Sequence, residues 1–144
     1  MFNQRDDGLT NLTFAARDAA EWREPHAYDL IFTFDAVHDQ ASPDVVLRNI
    51  YESLRPGGTY LMQDIAASSH VEKNLEHPVA PFIYTISTMH CMSVSLANGG
   101  MGLGAAWGRE TAQAMLRDAG FDDVSIYQLA HDFLNDYYVC RKHE

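Results

Sequence analysis

The sequence predicts an α/β fold with a mostly parallel sheet. Two apolar stretches, YDLIFTF (28–34) and TYLMQDI (59–65), have the composition of buried strands, and a segment with apolar residues at helical spacing separates them. Continuous apolar runs are typical of strands that are covered on both faces, as in parallel sheets. Together the three segments form a βαβ unit, whose crossover is expected to be right-handed.

The amino-terminal half follows a strand–strand–helix–strand order. NLTFAA (11–16) is predicted to be a short strand, which a polar connection joins to the strand at 28–34. Ser42 can cap the following helix, and Pro43 occupies its favoured first position. The helix is expected to end at LRPGG (54–58), because proline and two glycines stop a helix and turn the chain.

The carboxyl-terminal half contains two further helices and two strands. Residues 81–97 are predicted to be a helix with apolar residues on nearly every side, and 109–121 an amphipathic helix. Strands are predicted at 122–130 and 135–142, paired as an antiparallel hairpin. The glycine-rich segment 98–108 is either a mobile lid over a substrate or a plain connection, because it lacks the position and spacing of a dinucleotide-binding turn.

Composition excludes several classes of function. A chain of 144 residues suits one domain, predicted over 1–144, and its net charge of −10 disfavours binding to nucleic acids or to anionic membranes. No apolar run reaches the length of a membrane span, and the start of the chain has no signal-peptide pattern. Cys91 and Cys140 match no metal or redox spacing, so reduced thiols and a cytoplasmic location are expected.

Acidic residues follow the predicted strands. Asp35, His38 and Asp39 come after the strand at 28–34, Asp64 ends the next strand, and Asp18 follows NLTFAA. In open α/β sheets, ligands bind at the carboxyl ends of the strands. A carboxylate beside an imidazole can orient a base or bind a ligand hydroxyl. The alternative is that these residues only terminate strands and cap helices.

His90 and Cys91 lie next to each other among small and apolar residues. Adjacent residues on a helix point apart, so a catalytic pair is not indicated, and a packed core or a pocket wall is the simpler interpretation. The remaining histidines are scattered without metal-ligand spacing. The sequence therefore predicts no metal site.

Several motifs resemble class I S-adenosylmethionine-dependent methyltransferases. The segment 28–65, with its LRPGG turn, is similar to that family's fourth strand, helix and fifth strand. GRETAQAMLRDAGFDDVSIYQL (108–129) looks like the late helix and sixth strand, and NDYYVCRK (135–142) like the closing antiparallel strand. The resemblance implies part of a Rossmann-like methyltransferase sheet, with S-adenosylmethionine as cofactor and a small molecule as methyl acceptor.

The resemblance also implies roles for individual residues. Those expected to contact the cofactor are Asp18, Ala19, Phe34, Asp35 and Ala36. His38 and Asp39 would face the cofactor or the acceptor substrate and are the residues expected to act in catalysis. An insertion at about 66–108 would cover the substrate pocket, and the residues expected to contact substrate are Asp64, His90 and Trp107.

The chain departs from this family at its amino-terminal side. The family's first two strands and the glycine-rich cofactor turn have no counterpart here, so a truncated domain is expected. In the family's strand order, 3-2-1-4-5-7-6, the strand at 28–34 would then have an open edge. Either NLTFAA moves across to pair with it, or two chains form a homodimer through that edge.

Two functions are consistent with these features. One is methyl transfer to a small molecule, impaired in this chain because the glycine-rich cofactor turn is absent. The other is a non-catalytic methyltransferase-like fragment that acts by association or by ligand binding.

Overall fold

A computed structural model describes residues 11–143. Its centre is a four-stranded sheet with the order β1-β2-β4-β3. The strands are β1 Tyr28–Phe34, β2 Leu54–Ile65, β3 Asp123–Leu129 and β4 Asp132–Arg141. The pair β1–β2 is parallel, whereas β4 runs antiparallel to both β2 and β3. The predicted βαβ unit and the carboxyl-terminal hairpin are therefore confirmed.

Four α-helices accompany the sheet. A helix, α1, connects the two parallel strands, and another, α4, precedes the hairpin. Between them the predicted helix at 81–97 is continuous but contains a π-helical turn, which separates α2 from α3. The helical segments are α1 Pro43–Ser53, a 3₁₀ turn Val71–Asn74, α2 Ala80–Ile86, the π turn Ser87–Cys91, α3 Met92–Ala97 and α4 Gly108–Ala119.

The hydrophobic core lies between one face of the sheet and the helices α1 and α4. Aromatic residues dominate its centre: the ring of Phe121 packs edge-on against Tyr51, with centroids 5.0 Å apart, and stacks with Tyr60. The most deeply buried apolar residues are Leu47, Ile50, Leu54, Tyr60, Met62, Ala112, Leu116, Phe121, Tyr138 and Cys140. Every second residue of β2 and β4 contributes to this face, as the two-residue period of a strand requires.

Lys142 joins the carboxyl end of α1 to the sheet through hydrogen bonds. Its buried ammonium donates hydrogen bonds to the backbone carbonyls of Tyr51, at 2.8 Å, and Leu54, at 2.9 Å. It also lies 4.6 Å from the ring centroid of Tyr51. These carbonyls belong to the last turn of the helix and its cap, where cations are favourable. The contact holds α1 against the strand that follows it.

The predicted strand at 11–16 is wrong. Residues 11–16 form no regular element, and Leu12 and Phe14 are exposed. A strand needs a neighbour to pair its backbone groups, and these residues join neither edge of the sheet. The expectation that they cross over to pair with β1 is therefore also wrong.

The β1 edge and one face of the sheet are uncovered within residues 11–143. There, β1 pairs only with β2. Leu30, Phe32 and Phe34 alternate along β1 and are 48%, 50% and 61% exposed. The strand register places Phe32 in a row with Leu61 and Val139, on the side away from the core. This surface is apolar and continuous with the open edge.

The contact of Lys142 with α1 can be tested by Lys142→Met, which keeps the apolar stem but removes the ammonium. We expect the free energy of unfolding, measured with urea, to fall by about 2 kcal/mol, because two carbonyls lose a charged donor. The matched control is Lys73→Met, whose ammonium is exposed and lies 3.5 Å from Glu110. That change is expected to cost less than about 0.5 kcal/mol, and equal losses in both variants would contradict the assignment.

Candidate functional site

The chain leaves β1 through a sharp turn. Asp35 has a left-handed backbone with φ of 48°, a conformation that aspartate tolerates better than most residues. Its backbone N–H donates to the carbonyl of Gln63 at 2.9 Å, so the turn is joined to the end of β2. The turn directs Val37 and His38 into the interior, while the Asp35 side chain stays at the surface.

A buried hydrogen bond connects the ends of the two parallel strands. His38 Nδ1 lies 2.8 Å from Asp64 Oδ1, and the two side chains are 2% and 0% exposed. Because an ionised carboxylate can only accept, Nδ1 is the nitrogen that carries the proton. In a neutral ring Nε2 is then free to accept a proton or to bind a metal. The structure also brings the strand-end acids Asp35 and Asp64 together, since their carboxylate oxygens and a ring nitrogen of His38 lie within 4.8 Å of one another.

Two more carboxylates surround the imidazole. Asp39 Oδ1 lies 3.3 Å from His38 Nε2, and Asp35 Oδ1 lies 3.9 Å from Nδ1. Burial lowers the pKa of His38, but the hydrogen bond to Asp64 and the three negative charges outweigh it, so the pKa is raised. The pKa of Asp35 is also raised. Burial is the main cause, and the neighbouring carboxylates add to this effect.

Trp107, from the glycine-rich segment, donates another hydrogen bond to Asp64. Its indole Nε1–H donates to Asp64 Oδ1 at 3.1 Å, and the side chain is buried. Gly104 and Gly108 both have positive φ, and a Cβ atom on Gly108 would lie 2.1 Å from the backbone nitrogen of Ser69. The glycines therefore permit close packing, which favours the connecting-loop interpretation of 98–108 over a mobile lid.

The π-helical turn brings Cys91, rather than His90, to the cluster. Cys91 is buried, and its Sγ, a carboxylate oxygen of Asp39 and a ring nitrogen of His38 all lie within 4.8 Å of one another. Burial and hydrogen bonding to Asp39 raise the pKa of the Cys91 thiol to about 11. His90 is exposed and lies outside this cluster. The sequence predicted that Cys91 packs in the core or lines a pocket, and no spacing in the sequence indicated its proximity to His38.

Asp18 and Asp39 line one cleft of about 370 Å³. The carboxylate of Asp18 accepts from the backbone N–H of Ala20 at 2.8 Å, and the side-chain amide of Asn49 holds the carbonyls of Ala19 and Ala20. The other cleft residues are Ala20, Gln40, Ala41, Ser42, Ser95 and Asn98.

The remaining predicted cofactor residues lie at the carboxyl end of β1. Phe34 and Asp35 are exposed there, and Ala36 is half-buried. They adjoin His38 along the chain. The structure therefore places Phe34, Asp35 and Ala36 at the strand end next to the buried imidazole.

The comparison with known families decides the classification. The family model described as a methyltransferase domain matches residues 1–120, most of the chain. The chain belongs to this methyltransferase family. The resemblance to class I methyltransferases is thereby confirmed, and so is the fold class, a partial methyltransferase sheet with an antiparallel last strand. No curated protein matches the chain.

Solved structures share the fold at low sequence identity. A putative O-methyltransferase from Nostoc punctiforme is 22% identical with a TM-score of 0.65, and the match covers 89% of this chain and 36% of that one. The methyltransferase CalH in complex with SAH is 18% identical with a TM-score of 0.66, and the match covers 96% of this chain and 38% of that one. Human N-acetylserotonin methyltransferase in complex with SAM is 21% identical with a TM-score of 0.59, and the match covers 91% of this chain and 34% of that one. The chain thus spans little more than a third of the length of each.

None of the helices within residues 11–143 is long and apolar enough to cross a membrane.

Glu110 offers a test of how the segment after β2 is held beside Trp107. Its carboxylate accepts from the backbone N–H of Ser69 at 2.7 Å and from the hydroxyl of Ser68 at 2.9 Å. The Ser69 hydrogen bond is the main reason that the pKa of Glu110 is lowered to about 2. Because folding lowers this pKa, the stabilisation is complete above the unfolded-state pKa of about 4.5 and is lost as the pH falls towards 2.

We therefore compare urea unfolding of the original chain and Glu110→Gln between pH 7 and pH 2.5. The variant is expected to be less stable at pH 7 by no more than about 1 kcal/mol, because the carboxylate is 42% exposed. The difference should shrink below pH 4.5. Glu76→Gln, at an exposed position, serves as the control. A difference that stays constant down to pH 2.5 would contradict the hydrogen bonding described here.

Proposed function

We propose that this chain forms the acceptor side of an S-adenosylmethionine-dependent methyltransferase that acts on a hydroxyl group of a small molecule. The observation that carries the proposal is the Asp39–His38–Asp64 series at the cleft. Asp39 is 37% exposed and lies at the cleft, His38 is behind it, and Asp64 is fully buried. This arrangement provides a path for a proton from the cleft to a buried base.

Each member of the series has a distinct part in moving that proton. Asp39 is placed to accept a hydrogen bond from the acceptor hydroxyl in the cleft. His38 Nε2, 3.3 Å from Asp39 Oδ1, takes up the proton that the hydroxyl loses. Asp64 fixes the ring orientation through Nδ1 and balances the charge of the imidazolium that forms. His38 and Asp39 are thus proposed as catalytic residues, in agreement with the sequence prediction.

The rim of the site fits the cofactor. Phe34 offers exposed aromatic surface at the end of β1, and the carboxylate of Asp18 is exposed next to the cleft. We propose that these residues, with Ala19, Asp35 and Ala36, bind S-adenosylmethionine. When bound, the cofactor supplies the sulfonium methyl group that is transferred. The structural neighbours named as O-methyltransferases or as complexes with SAM or SAH support this choice of cofactor and of an oxygen acceptor.

We further propose that Asp64 and Trp107 shape the substrate pocket from inside. Both are buried and hydrogen-bonded to each other, so they set the position of His38 rather than contact the acceptor. His90, although predicted to bind substrate, is exposed outside the cluster, and nothing in its surroundings supports that role.

The second candidate function is ligand binding without catalysis. The 144 residues contain no Gly-x-Gly-x-x-Gly turn after a strand. We therefore propose that the chain as it stands binds the cofactor weakly. Calorimetric titration with S-adenosylmethionine and with S-adenosylhomocysteine separates the possibilities. Binding of both without methyl transfer would favour the ligand-binding function, and absence of heat at millimolar ligand would exclude a working cofactor site in this chain.

The catalytic assignment is tested with Asp39→Asn and His38→Gln. Transfer of a radiolabelled methyl group from S-adenosylmethionine to a panel of simple phenols is expected to fall by about 100-fold or more in each variant, as is typical for loss of a general base. The control is His131→Gln, an exposed position in the β3–β4 turn, which should retain activity. Calorimetry should show cofactor affinity within a few-fold in all variants. Full activity in His38→Gln would contradict the proposal.

We also propose that two copies associate through β1. Its outer edge has backbone groups without a strand partner in the described chain, beside the exposed row of Leu30, Phe32 and Phe34. A two-fold axis at this edge would pair the two β1 strands antiparallel, with the same surface contributed by each copy.

Analytical ultracentrifugation at about 100 μM tests this association, since weak complexes form in the micromolar range. The original chain is expected to sediment as a dimer and Phe32→Lys as a monomer, because a charge on the edge opposes strand pairing. Phe133→Lys is the matched control, an equally exposed aromatic position on β4, and should remain dimeric. A folded monomer for the original chain would refute the dimer.

A further inference from the structure

We propose that His38, Asp39 and Cys91 form a binding site for a single thiophilic divalent ion of the zinc class. The three ligand atoms are the imidazole Nε2, the carboxylate Oδ1 and the thiol Sγ. They come from the loop after β1 and from the π turn Ser87–Cys91. Because these segments are distant along the chain, no ligand spacing in the sequence indicates the site.

The orientation of the imidazole suits a metal ligand. Asp64 accepts the Nδ1 proton at 2.8 Å, which leaves Nε2 of the neutral ring free as a ligand atom, 3.3 Å from Asp39 Oδ1. Zinc-binding histidines characteristically donate their other ring N–H to a carboxylate in this way. Nε2 and Asp39 Oδ1 lie 3.3 Å apart, and residues 11–143 show no hydrogen bond between them. The two atoms are therefore close enough to bind one cation together.

Unpaired buried oxygens and an excess of negative charge also indicate that a cation binds at this cluster. Asp39 Oδ1 and Asp64 Oδ2 are buried and have no hydrogen-bond partner among residues 11–143. Three carboxylates surround one imidazole, and no lysine or arginine of residues 11–143 forms an ion pair with any of them. Even an imidazolium would leave the cluster negative. A bound divalent ion compensates this charge where water is excluded.

Cys91 makes the site selective for soft metals. A thiolate, an imidazole and a carboxylate are the three ligand types that Zn²⁺ uses, whereas Mg²⁺ and Ca²⁺ prefer oxygen alone. Ligand atoms around a tetrahedral zinc ion lie roughly 3.3–3.8 Å apart. The Nε2–Oδ1 distance already meets this requirement, and Sγ, which lies within 4.8 Å of a ring nitrogen of His38 and of a carboxylate oxygen of Asp39, would have to move by roughly 1–1.5 Å or less. The thiol would release its proton on binding.

The ion would compete with catalysis. This consequence, unlike the binding itself, rests on the proposed function, in which Nε2 takes up the proton of the acceptor. An ion on Nε2 and Asp39 removes both groups from the proton path. Zinc occupancy is therefore expected to inhibit methyl transfer reversibly, and a chelator to restore it.

Cobalt(II) reports on the site directly, independently of activity. The full chain is treated with EDTA, dialysed and titrated with Co²⁺ while its absorbance is recorded. We expect a thiolate-to-cobalt charge-transfer band that saturates at one ion per chain and disappears when Zn²⁺ is added. Cys91→Ser should lack the band, and Cys140→Ser, which removes the other buried thiol and is not part of the cluster, should retain it.

Two further variants distinguish the residues that bind the metal from residues that only lie next to them. His90→Ala alters the exposed residue adjacent to Cys91 and should leave the titration unchanged. Asp64→Asn should keep the band but weaken Co²⁺ binding by 10- to 100-fold, as is typical when the hydrogen-bond partner of a metal ligand is lost. Far-ultraviolet circular dichroism identifies any variant that fails to fold, and such a variant is replaced by Asp39→Asn, which is expected to weaken the binding as well.

The outcomes discriminate clearly. Absence of a thiolate band in the folded original chain, or its persistence in Cys91→Ser, overturns the metal site. A band with the expected dependence on Cys91 supports it. If the site binds Co²⁺ while Zn²⁺ leaves methyl transfer unaffected, the metal site stands and the assignment of His38 as base is wrong.

Discussion

The hydrogen bond between His38 and Asp64 is the constraint on which the site depends. It joins the loop after β1 to the end of β2, and both side chains are almost completely buried. Loss of Asp64 would leave the Nδ1–H of His38 without its acceptor in the interior, which costs more than an ordinary hydrogen bond contributes. Trp107 attaches the glycine-rich segment to the same carboxylate. The strand ends and the loop are therefore positioned by one shared acceptor.

The sheet has two faces with different roles in stability. Helices α1 and α4 cover one face, and nearly all of the buried apolar residues lie there. The opposite face carries exposed apolar residues on β1 and has no covering helix within residues 11–143. Folding of the described region thus relies on the α1–α4 side. The uncovered side is available for association because little of the fold's stability depends on it.

Sequence patterns predicted what is local and missed what depends on distant contacts. Helical spacing identified α1 and α4, and the apolar runs identified β1 and β2, because each pattern reflects burial of that element itself. The strand at 11–16 failed because composition cannot reveal whether a partner strand is present. The pairing of His38 with Asp64 was foreseeable from parallel strand ends. Cys91 was not, because the π turn adds a residue to the helix and changes which side chain faces the cluster.

The same geometry gives Nε2 of His38 two competing partners. Because Nδ1 donates to Asp64, Nε2 is the nitrogen that can hold either a proton or a metal ion, and Asp39 and Cys91 lie close to this ring. Burial makes the protonated ring costly, whereas the three carboxylates favour any cation at this point. The negative charge of these carboxylates increases the proton affinity of His38, but it attracts a proton and a zinc ion alike. Cys91 provides the selectivity for a soft metal ion. Its thiol stays protonated without a metal and becomes a strong ligand only when a soft ion displaces that proton.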